Sequence, residues 1–191
     1  MNTERENYKL LIGSIIPRPI AFVTTVSKEG TLNGAPFSYF NIVSSNPPMI
    51  SLAIQRVDGK QKDTARNILD VKEFVVHIVD EGNVEKINET AASLPPDQSE
   101  IETAKLSPVK SREVSVPGIE EAKVRMECTL EHSLELAGNT DLIIGKVVQF
   151  HIDDKIYEQG RIDANGLAAV SRLAGNIYAK VGEVFAIERP K

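Results

Sequence analysis

The strongest constraint on the fold is a long alternation of apolar and polar residues at positions 124–136. The apolar members of this alternation are Val124, Met126, Cys128, Leu130, Leu134 and Leu136. Because successive side chains of a β-strand point to opposite faces of a sheet, the pattern predicts a strand with one buried and one solvated face. Gly138-Asn139 then predicts a turn, and residues 142–152 predict an antiparallel partner strand. We therefore expect an antiparallel sheet.

Shorter strand signals surround this hairpin, and helix signals are few. Apolar or β-branched runs at 20–26, 49–54, 74–79 and 184–187 predict further strands. Residues 64–71 carry apolar side chains on one helical face and predict a short helix, and residues 84–92 are a second, more polar candidate. Prolines among charges at 93–118 predict a surface excursion with little regular structure. This balance of elements predicts an antiparallel barrel or sandwich.

The composition is that of an ordinary globular chain, with 191 residues, 41% hydrophobic and 26% charged. This length predicts one domain over residues 1–191, with a core large enough to fold without disulfides. Cys128 is the only cysteine, which excludes an intramolecular disulfide and favours a cytoplasmic location. A net charge of -5, the absence of tryptophan and an aromatic content of 5% argue against a nucleic-acid partner.

Two segments raise the question of a membrane span or an export signal, and neither has the required pattern. Residues 30–55 carry no charge, but their asparagines, serines and prolines would leave polar groups unpaired in lipid and break a helix. Buried strands and a turn that line a ligand site explain this segment better. The apolar run at 10–17 is short and interrupted by Gly13 and Pro17, unlike a signal peptide. We therefore predict no membrane partner.

Side-chain clusters that would bind a metal or perform catalysis fail on spacing. Cys128 and His132 lie four residues apart on a predicted strand, about 13 Å, which is too far for two ligands of one zinc ion. We interpret Cys128 as structural, and His77 and His151 as hydrogen-bonded core histidines. The chain lacks G-x-G-x-x-G, G-x-S-x-G and H-E-x-x-H, so a Rossmann dehydrogenase, an α/β-hydrolase and a zincin lose their support. No metal site and no catalytic side chain is predicted.

Positive charge is concentrated between residues 56 and 66. This window holds four basic residues against two acidic ones, although the protein is acidic as a whole. It also begins a predicted helix, and the N–H groups of a helix N-terminus, with Lys62 and the Thr64 hydroxyl, would form a phosphate pocket. A solvated turn with Asp63 or Thr64 as the N-cap explains the same residues. The window alone leaves both interpretations open.

Several sequence blocks are more informative together than any of them alone. They are Pro17-Arg18-Pro19-Ile20-Ala21-Phe22-Val23-Thr24-Thr25, Asn33-Gly34-Ala35-Pro36-Phe37-Ser38-Tyr39-Phe40, Ser44-Ser45-Asn46-Pro47-Pro48, Lys62-Asp63-Thr64 with Arg66-Asn67-Ile68, Phe74-Val75-Val76, and Ser171-Arg172-Leu173-Ala174-Gly175-Asn176 with Tyr178 and Arg189-Pro190. This combination, which covers most of the chain, resembles the flavin reductase-like family. The resemblance implies a mainly β fold, an antiparallel FMN-binding split β-barrel with a few short peripheral helices. His77 and Ala174 depart from the family pattern, in which Asn and a second glycine are common.

The resemblance also implies which residues contact FMN. They are Arg18, Asn33, Ala35, Pro36, Ser38, Tyr39, Ser51, Lys62, Asp63, Thr64, Arg172 and Tyr178. Within this set, Lys62-Asp63-Thr64 matches the family's phosphate-binding position, and the segment 33–40 runs alongside the flavin. Pro36 has no N–H to donate, which suggests a break in strand pairing that leaves backbone groups for a ligand. For Arg18, a surface salt bridge is an equally good explanation.

The resemblance implies a reaction in which NAD(P)H, a transient small-molecule co-substrate, reduces non-covalently bound FMN, which then passes electrons to an acceptor. One alternative is an FMN-binding electron carrier that exchanges electrons with a redox protein partner. Another is a split barrel that has lost its flavin. The resemblance further implies a homodimer, with residues 167–178 packed across the two-fold interface. The alternative is that this segment folds onto its own barrel.

Overall fold

The computed structural model describes residues 2–92, 94–95, 97–137 and 139–190. The helices are α1 (Glu4–Ser14), α2 (Asp63–Val71), α3 (Val84–Glu89), α4 (Glu100–Thr103) and α5 (Ala164–Leu167), with one 3-10 turn at Asp154–Ile156. The strands are β1 (Arg18–Pro19), β2 (Ala21–Val26), β3 (Leu32–Phe37), β4 (Phe40–Ser45), β5 (Pro48–Gln55), β6 (Glu73–Ile78), β7 (Pro108–Val109), β8 (Gly118–Ile119), β9 (Val124–Leu136), β10 (Thr140–Ile152), β11 (Tyr157–Glu158), β12 (Arg161–Ile162), β13 (Val170–Arg172) and β14 (Tyr178–Lys180).

The main sheet has seven antiparallel strands in the order β3-β2-β6-β9-β10-β5-β4. The long β9–β10 hairpin runs through the sheet and confirms both the strand predicted at 124–136 and its antiparallel partner. The prediction of one buried and one solvated face is wrong, because Glu127 is buried whereas Leu134 and Leu136 are exposed at the end of the strand. Gly138, half of the predicted turn, lies outside the described residues. A second sheet has the order β1-β13-β14. The prediction of a mainly β, antiparallel fold with a few short peripheral helices is confirmed.

The core lies on both faces of the main sheet. On one face Val23 packs in a cluster with Phe74, and on the other face the neighbouring Phe22 packs in a cluster with Ile101. The surface position predicted for residues 93–118 is therefore wrong, because their apolar side chains cover the second face. The prediction of little regular structure is confirmed, since the regular structure of the described part is a four-residue helix and one pair of two-residue strands.

Two buried polar side chains fasten this covering segment to the sheet. The Glu127 carboxylate accepts the N–H of Arg112 at 2.8 Å and those of the next two residues. On β6, Nε2 of His77 accepts the N–H of Ile119 at 3.0 Å, and its Nδ1 lies 3.0 Å from the carbonyl oxygen of Phe22. Burial lowers the pKa of His77 to about 4. The prediction of a hydrogen-bonded core histidine is confirmed for His77.

Cys128 belongs to the core, whereas His151 is only partly buried. Cys128 is fully buried on β9, and burial raises the pKa of its thiol, as expected of a structural cysteine. His151 bonds to Glu127 through Nε2. Within the residues that the structure describes, no three His, Cys, Asp or Glu side chains are grouped as a metal site requires. No helix among them is long and apolar enough to cross a membrane.

The remaining predictions succeed inside the chain and fail near its ends. Helix α2 confirms the helix predicted at 64–71, and α3 confirms the second candidate but ends at Glu89. Helix α1 is missing from the sequence prediction. It begins with a capping box in which Thr3 Oγ1 accepts the N–H of Glu6. The strand predicted at 184–187 is wrong for the single chain, because these residues have no regular structure.

Candidate functional site

A cavity of about 430 Å³ opens where the two sheets meet α1, α3 and the start of α2. This volume lies in the range of small-molecule sites, about 300–1,000 Å³. The lining residues are Tyr8, Ile12, Arg18, Ile20, Pro36, Phe37, Ser38, Tyr39, Ala53, Gln55, Lys62, Asn88, Ala91, Arg172, Leu173, Gly175, Asn176 and Tyr178. None of these described residues is a carboxylate, an imidazole or a thiol, whereas Arg18, Lys62 and Arg172 are cations. The lining therefore suits an organic anion and offers binding rather than side-chain acid–base chemistry.

The start of α2 forms the first wall. Lys62 is the N-cap residue and its side chain makes no capping bond, so the interpretation with Asp63 or Thr64 as the N-cap is wrong. The N–H groups in the first turn of a helix have no partner within the helix, and that end carries partial positive charge. The Lys62 ammonium lies 5.7 Å from the centroid of the Phe37 ring, another lining residue. An anion at this wall meets an ammonium group and a helix N-terminus together.

The other side chains of the predicted phosphate motif, those of Asp63 and Thr64, bond to residues of the protein itself. Asp63 pairs with Arg66 at 2.7 Å. The buried Thr64 hydroxyl donates to Oδ1 of Asn33 at 3.2 Å, and the Asn33 amide donates to Oε2 of Glu100 at 2.8 Å. Neither Thr64 nor Asn33 belongs to the described cavity lining. Their bonds hold α2 against β3 and α4, which leaves Thr64 only its backbone N–H for a ligand.

A buried carboxylate fixes the chain just before α2. Asp141 on β10 accepts two bonds from the Arg56 guanidinium, at 2.7 and 3.0 Å, and one from Nε2 of Gln61 at 2.9 Å. The bonds from Arg56 hold the pKa of Asp141 below its usual range. Because Arg56 and Gln61 lie near the two ends of the segment 56–62, this cluster determines where Lys62 enters the cavity.

The turn between β3 and β4 forms the second wall. Pro36, Ser38 and Tyr39 all line the cavity. The break in pairing expected at Pro36 is wrong, because β3 stays paired with β2 through Phe37. Since β3 is one of the two edge strands of the sheet, a proline is tolerated there. Burial raises the pKa of Tyr39, so its hydroxyl stays protonated and is able to donate a hydrogen bond.

Arg18 ties the cavity wall to α1. Its Nη1 donates to the carbonyls of Ile12 at 2.7 Å and Ile15 at 2.6 Å, and its Nη2 donates to that of Leu173 at 2.7 Å. The interpretation of Arg18 as part of a surface salt bridge is wrong, because its side chain is buried and its described partners are carbonyls. Its Nε is buried without a partner among the described residues. One donor of a cavity-lining guanidinium is thus left unused by the protein.

The segment that follows β13 forms the third wall. Nη2 of Arg172 donates to the carbonyl of Gly175 at 2.6 Å, and Nη1 donates to the Tyr178 hydroxyl. The Arg172 guanidinium lies 4.5 Å from the centroid of the Tyr178 ring. The Tyr178 hydroxyl in turn donates to Oδ1 of Asn88 at 2.9 Å. This chain of bonds joins the C-terminal sheet to α3 and holds both side chains in place.

The structure brings most of the expected FMN-contacting residues to one place. Those that line the cavity are Arg18, Pro36, Ser38, Tyr39, Lys62, Arg172 and Tyr178. Those outside its described lining are Asn33, Ala35, Ser51, Asp63 and Thr64. Ala35 packs against the core, and the Ser51 hydroxyl lies 3.5 Å from the carbonyl of Asn41. Sequence reasoning missed Tyr8, Gln55 and Asn88, of which only Tyr8 had a local signal, the capping box of α1.

The chain is similar to several known proteins in sequence and in fold. The sequence model of the Flavin reductase like domain matches residues 12–167. Nitrilotriacetate monooxygenase component B from Bacillus cereus is 60% identical, with a TM-score of 0.96 over 97% of this chain and 95% of that one. The 2-nitrobenzoate 2-nitroreductase NbaA from Pseudomonas fluorescens is 28% identical, with a TM-score of 0.91 over 99% and 93%.

A chain with a split barrel domain from Shewanella frigidimarina NCIMB 400 extends the comparison to low identity. It is 20% identical and has a TM-score of 0.89 over 99% of this chain and 94% of that one. At this identity the likeness concerns the fold alone, and it confirms the predicted split barrel.

Proposed function

Because the chain belongs to the flavin reductase-like family, we propose that it is an FMN-binding oxidoreductase that uses NAD(P)H. The observation that carries the proposal is the cavity that joins Lys62 and the start of α2 to the turn 36–39 and to Arg172. Its lining combines apolar side chains for a ring, scattered polar groups for the ring's edge, and cations for a phosphate. The name of the 28% identical nitroreductase also supports redox chemistry.

In this proposal the wall at α2 binds the phosphate. The Lys62 ammonium and the first-turn N–H groups would share its charge, as at other helix N-termini. The Arg56–Asp141 cluster positions this wall before the ligand arrives, so little entropy is lost when an anion binds. Thr64 and Asn33 do not contact the phosphate in this proposal. They hold α2 against the sheet.

The other two walls orient the ring. Pro36 and Tyr39 shape the slot beside β3, and the protonated Tyr39 hydroxyl provides a donor. Arg172, held over Tyr178, brings a second cation to the opposite side. When bound, FMN would accept a hydride from nicotinamide and pass the electrons on. The chain's own residues bind and orient, and no side chain is needed as an acid or base.

We further propose that the domain spans residues 1–191 and acts as a cytoplasmic homodimer. In the single chain, the segment 167–178 folds into its own β1-β13-β14 sheet, while Ile177 remains exposed on it. The 60% identical Bacillus cereus chain is named as one component of a monooxygenase. That name supports a separate protein component as the electron acceptor.

The test is the absorbance spectrum of the purified protein, loaded with FMN and mixed anaerobically with NADH or NADPH. We expect a flavin spectrum that bleaches rapidly with at least one of the two nucleotides. Persistent flavin colour with both would favour the electron carrier over the reductase. A colourless protein that resists loading with FMN would contradict flavin binding itself.

A further inference from the structure

The last ten described residues, 181–190, leave the body of the protein. They have no regular structure, and each of them is exposed. Phe185 and Ile187 are 76% and 80% exposed, and Val184 is also largely exposed. Large apolar and β-branched residues of this kind favour a strand. This segment, called the arm below, therefore has the composition of a strand without a strand to pair with.

In the part of the chain that the structure describes, the main sheet has an unpaired edge at β4, which could accept such a strand. Strand β4 ends the sheet, and among the described residues no strand pairs with its outer edge. Ile42 is 76% exposed and Val43 is about half exposed. Natural sheets protect open edges with charges, proline or a covering element. The range Phe40–Ser45 contains neither a charge nor a proline, and its irregularity is a shift of register against β5 between Ile42 and Ser44.

The exposed surface of the single chain is large enough to include a stable interface. The chain exposes 11807 Å², whereas a compact monomer of this mass exposes about 9,000 Å². The difference exceeds the roughly 800 Å² per partner that a standard stable interface covers. A second copy is the occupant that these two features favour, since each copy has both an arm and an unpaired β4 edge. A two-fold exchange would satisfy both features in both copies, without a third component.

We propose that residues 184–187 of each chain add as a strand to the outer edge of β4 in a second copy. Main-chain hydrogen bonds would close the edge, as in other cases of strand addition. Phe185 and Ile187 would bury themselves against Ile42 and Val43. The inference names one surface of the homodimer proposed above, and it does not depend on bound flavin.

The first test changes the apolar residues of the arm. In Phe185→Ser/Ile187→Ser, the dimer Kd of the apo-protein should rise by about 100-fold or more, because buried apolar area is lost twice per dimer. The matched control, Glu183→Ser/Glu188→Ser, changes the charged residues of the same arm and should leave the Kd within about threefold. Sedimentation equilibrium measures both. Equal Kd values for the apolar variant and the unchanged protein would overturn the proposal.

Hydrogen exchange then separates a second copy from the arm's own chain. We expect the amides of 184–187 to be protected well above the dimer Kd and to lose that protection on dilution. Protection that is independent of concentration would mean docking on the same chain. Absence of protection at every concentration would mean an unbound arm. Either outcome would overturn the proposal.

Complementation tests the edge itself. Ile42→Lys/Val43→Lys places charge on exposed residues and should block β4. Mixed with the apolar arm variant, it should form a heterodimer tighter than either homodimer, because one intact arm then meets one intact edge. No gain on mixing would contradict the pairing. An FMN titration of the unchanged protein, run separately, shows whether the proposed function fails, and the association measurements on apo-protein stand either way.

Discussion

At the scale of single residues, Lys62 has the most direct expected effect on FMN binding. Charge-assisted hydrogen bonds contribute about 1.5–3 kcal/mol, so Lys62→Ala should weaken FMN affinity by roughly ten- to a hundredfold. Its side chain is exposed, so the free energy of unfolding should stay the same. Titration followed by flavin fluorescence measures the affinity. Lys60→Ala, in the same segment but outside the cavity lining, is the control, and unchanged affinity in Lys62→Ala would contradict the phosphate wall.

His77 should make the fold sensitive to acid. Burial lowers its pKa in the folded protein from 6.5 to about 4. Above pH 6.5 the imidazole is neutral in both the folded and the unfolded protein. The free energy of unfolding therefore has its full value there. As the pH falls from 6.5 towards 4, the unfolded chain binds a proton that the folded chain excludes. The free energy of unfolding should therefore drop by roughly 3 kcal/mol over this window.

Urea unfolding between pH 4 and 7 measures this effect by comparison with His77→Asn. The variant keeps a polar side chain on β6 but has no group that titrates in the window. Neighbouring charges, Arg125 and Glu121 among them, are common to both proteins. The difference between the two stability curves should change with pH below 6.5 and be constant above it. Parallel curves throughout would show that His77 does not cause the acid sensitivity.

At the scale of elements, the segment 56–62 is expected to depend on the Arg56–Asp141 pair. Arg56→Met removes both bonds to the buried Asp141 carboxylate, and hydrogen bonds to charged groups are worth about 1.5–3 kcal/mol each. We expect lower stability, faster amide exchange at 56–62 and weaker FMN binding. The control is Arg66→Met, which breaks the more exposed pair with Asp63 and should cost at most about 0.5–1 kcal/mol. Equal effects of the two substitutions would contradict the anchoring role.

The elements also show what the sequence can predict. Strand β9 is predictable because an alternation of apolar and polar residues is typical of a strand, although the burial of its side chains follows that alternation only in part, since Glu127 is buried and Leu134 is exposed. The covering role of residues 93–118 has no such periodic pattern, since isolated residues reach the sheet from a four-residue helix, as Ile101 does, or from irregular backbone, as Leu106 does. The strand at 184–187 fails in the single chain because β-forming residues still need an edge to pair with.

The candidate site is predictable only where its residues share a motif. Lys62 and the turn 36–39 lie in blocks that resemble the family, and they do line the cavity. Gln55 and Asn88 come to the same cavity from separate elements, so no local spacing indicates them. Thr64 belongs to a motif but does not line the cavity. The motif identifies the residue, but it does not predict that its hydroxyl faces Asn33.

At the scale of the whole molecule, FMN binding and dimerisation should be linked. The segment 167–178 carries Arg172 and Tyr178 into the cavity and has the exposed Ile177 on its outside. If this segment meets a partner, FMN should lower the dimer Kd, and dimerisation should raise FMN affinity by the same factor. Sedimentation of apo- and FMN-loaded protein over a concentration series measures both. A monomer that binds FMN as tightly as the dimer would contradict the linkage.

The buried contact between Glu100 and Asn33 bears on any attempt to engineer a smaller version of this barrel. The segment around Glu100 is an obvious candidate for deletion, since little of it is helix or strand. Yet Glu100 accepts a hydrogen bond from Asn33, Asn33 accepts one from Thr64, and Thr64 lies in the first turn of the helix beside the cavity. Deleting the stretch would also uncover Phe22 on the sheet. A minimal scaffold must therefore keep this irregular stretch, whereas the exposed hairpin β11–β12 offers a safer place for cuts and insertions.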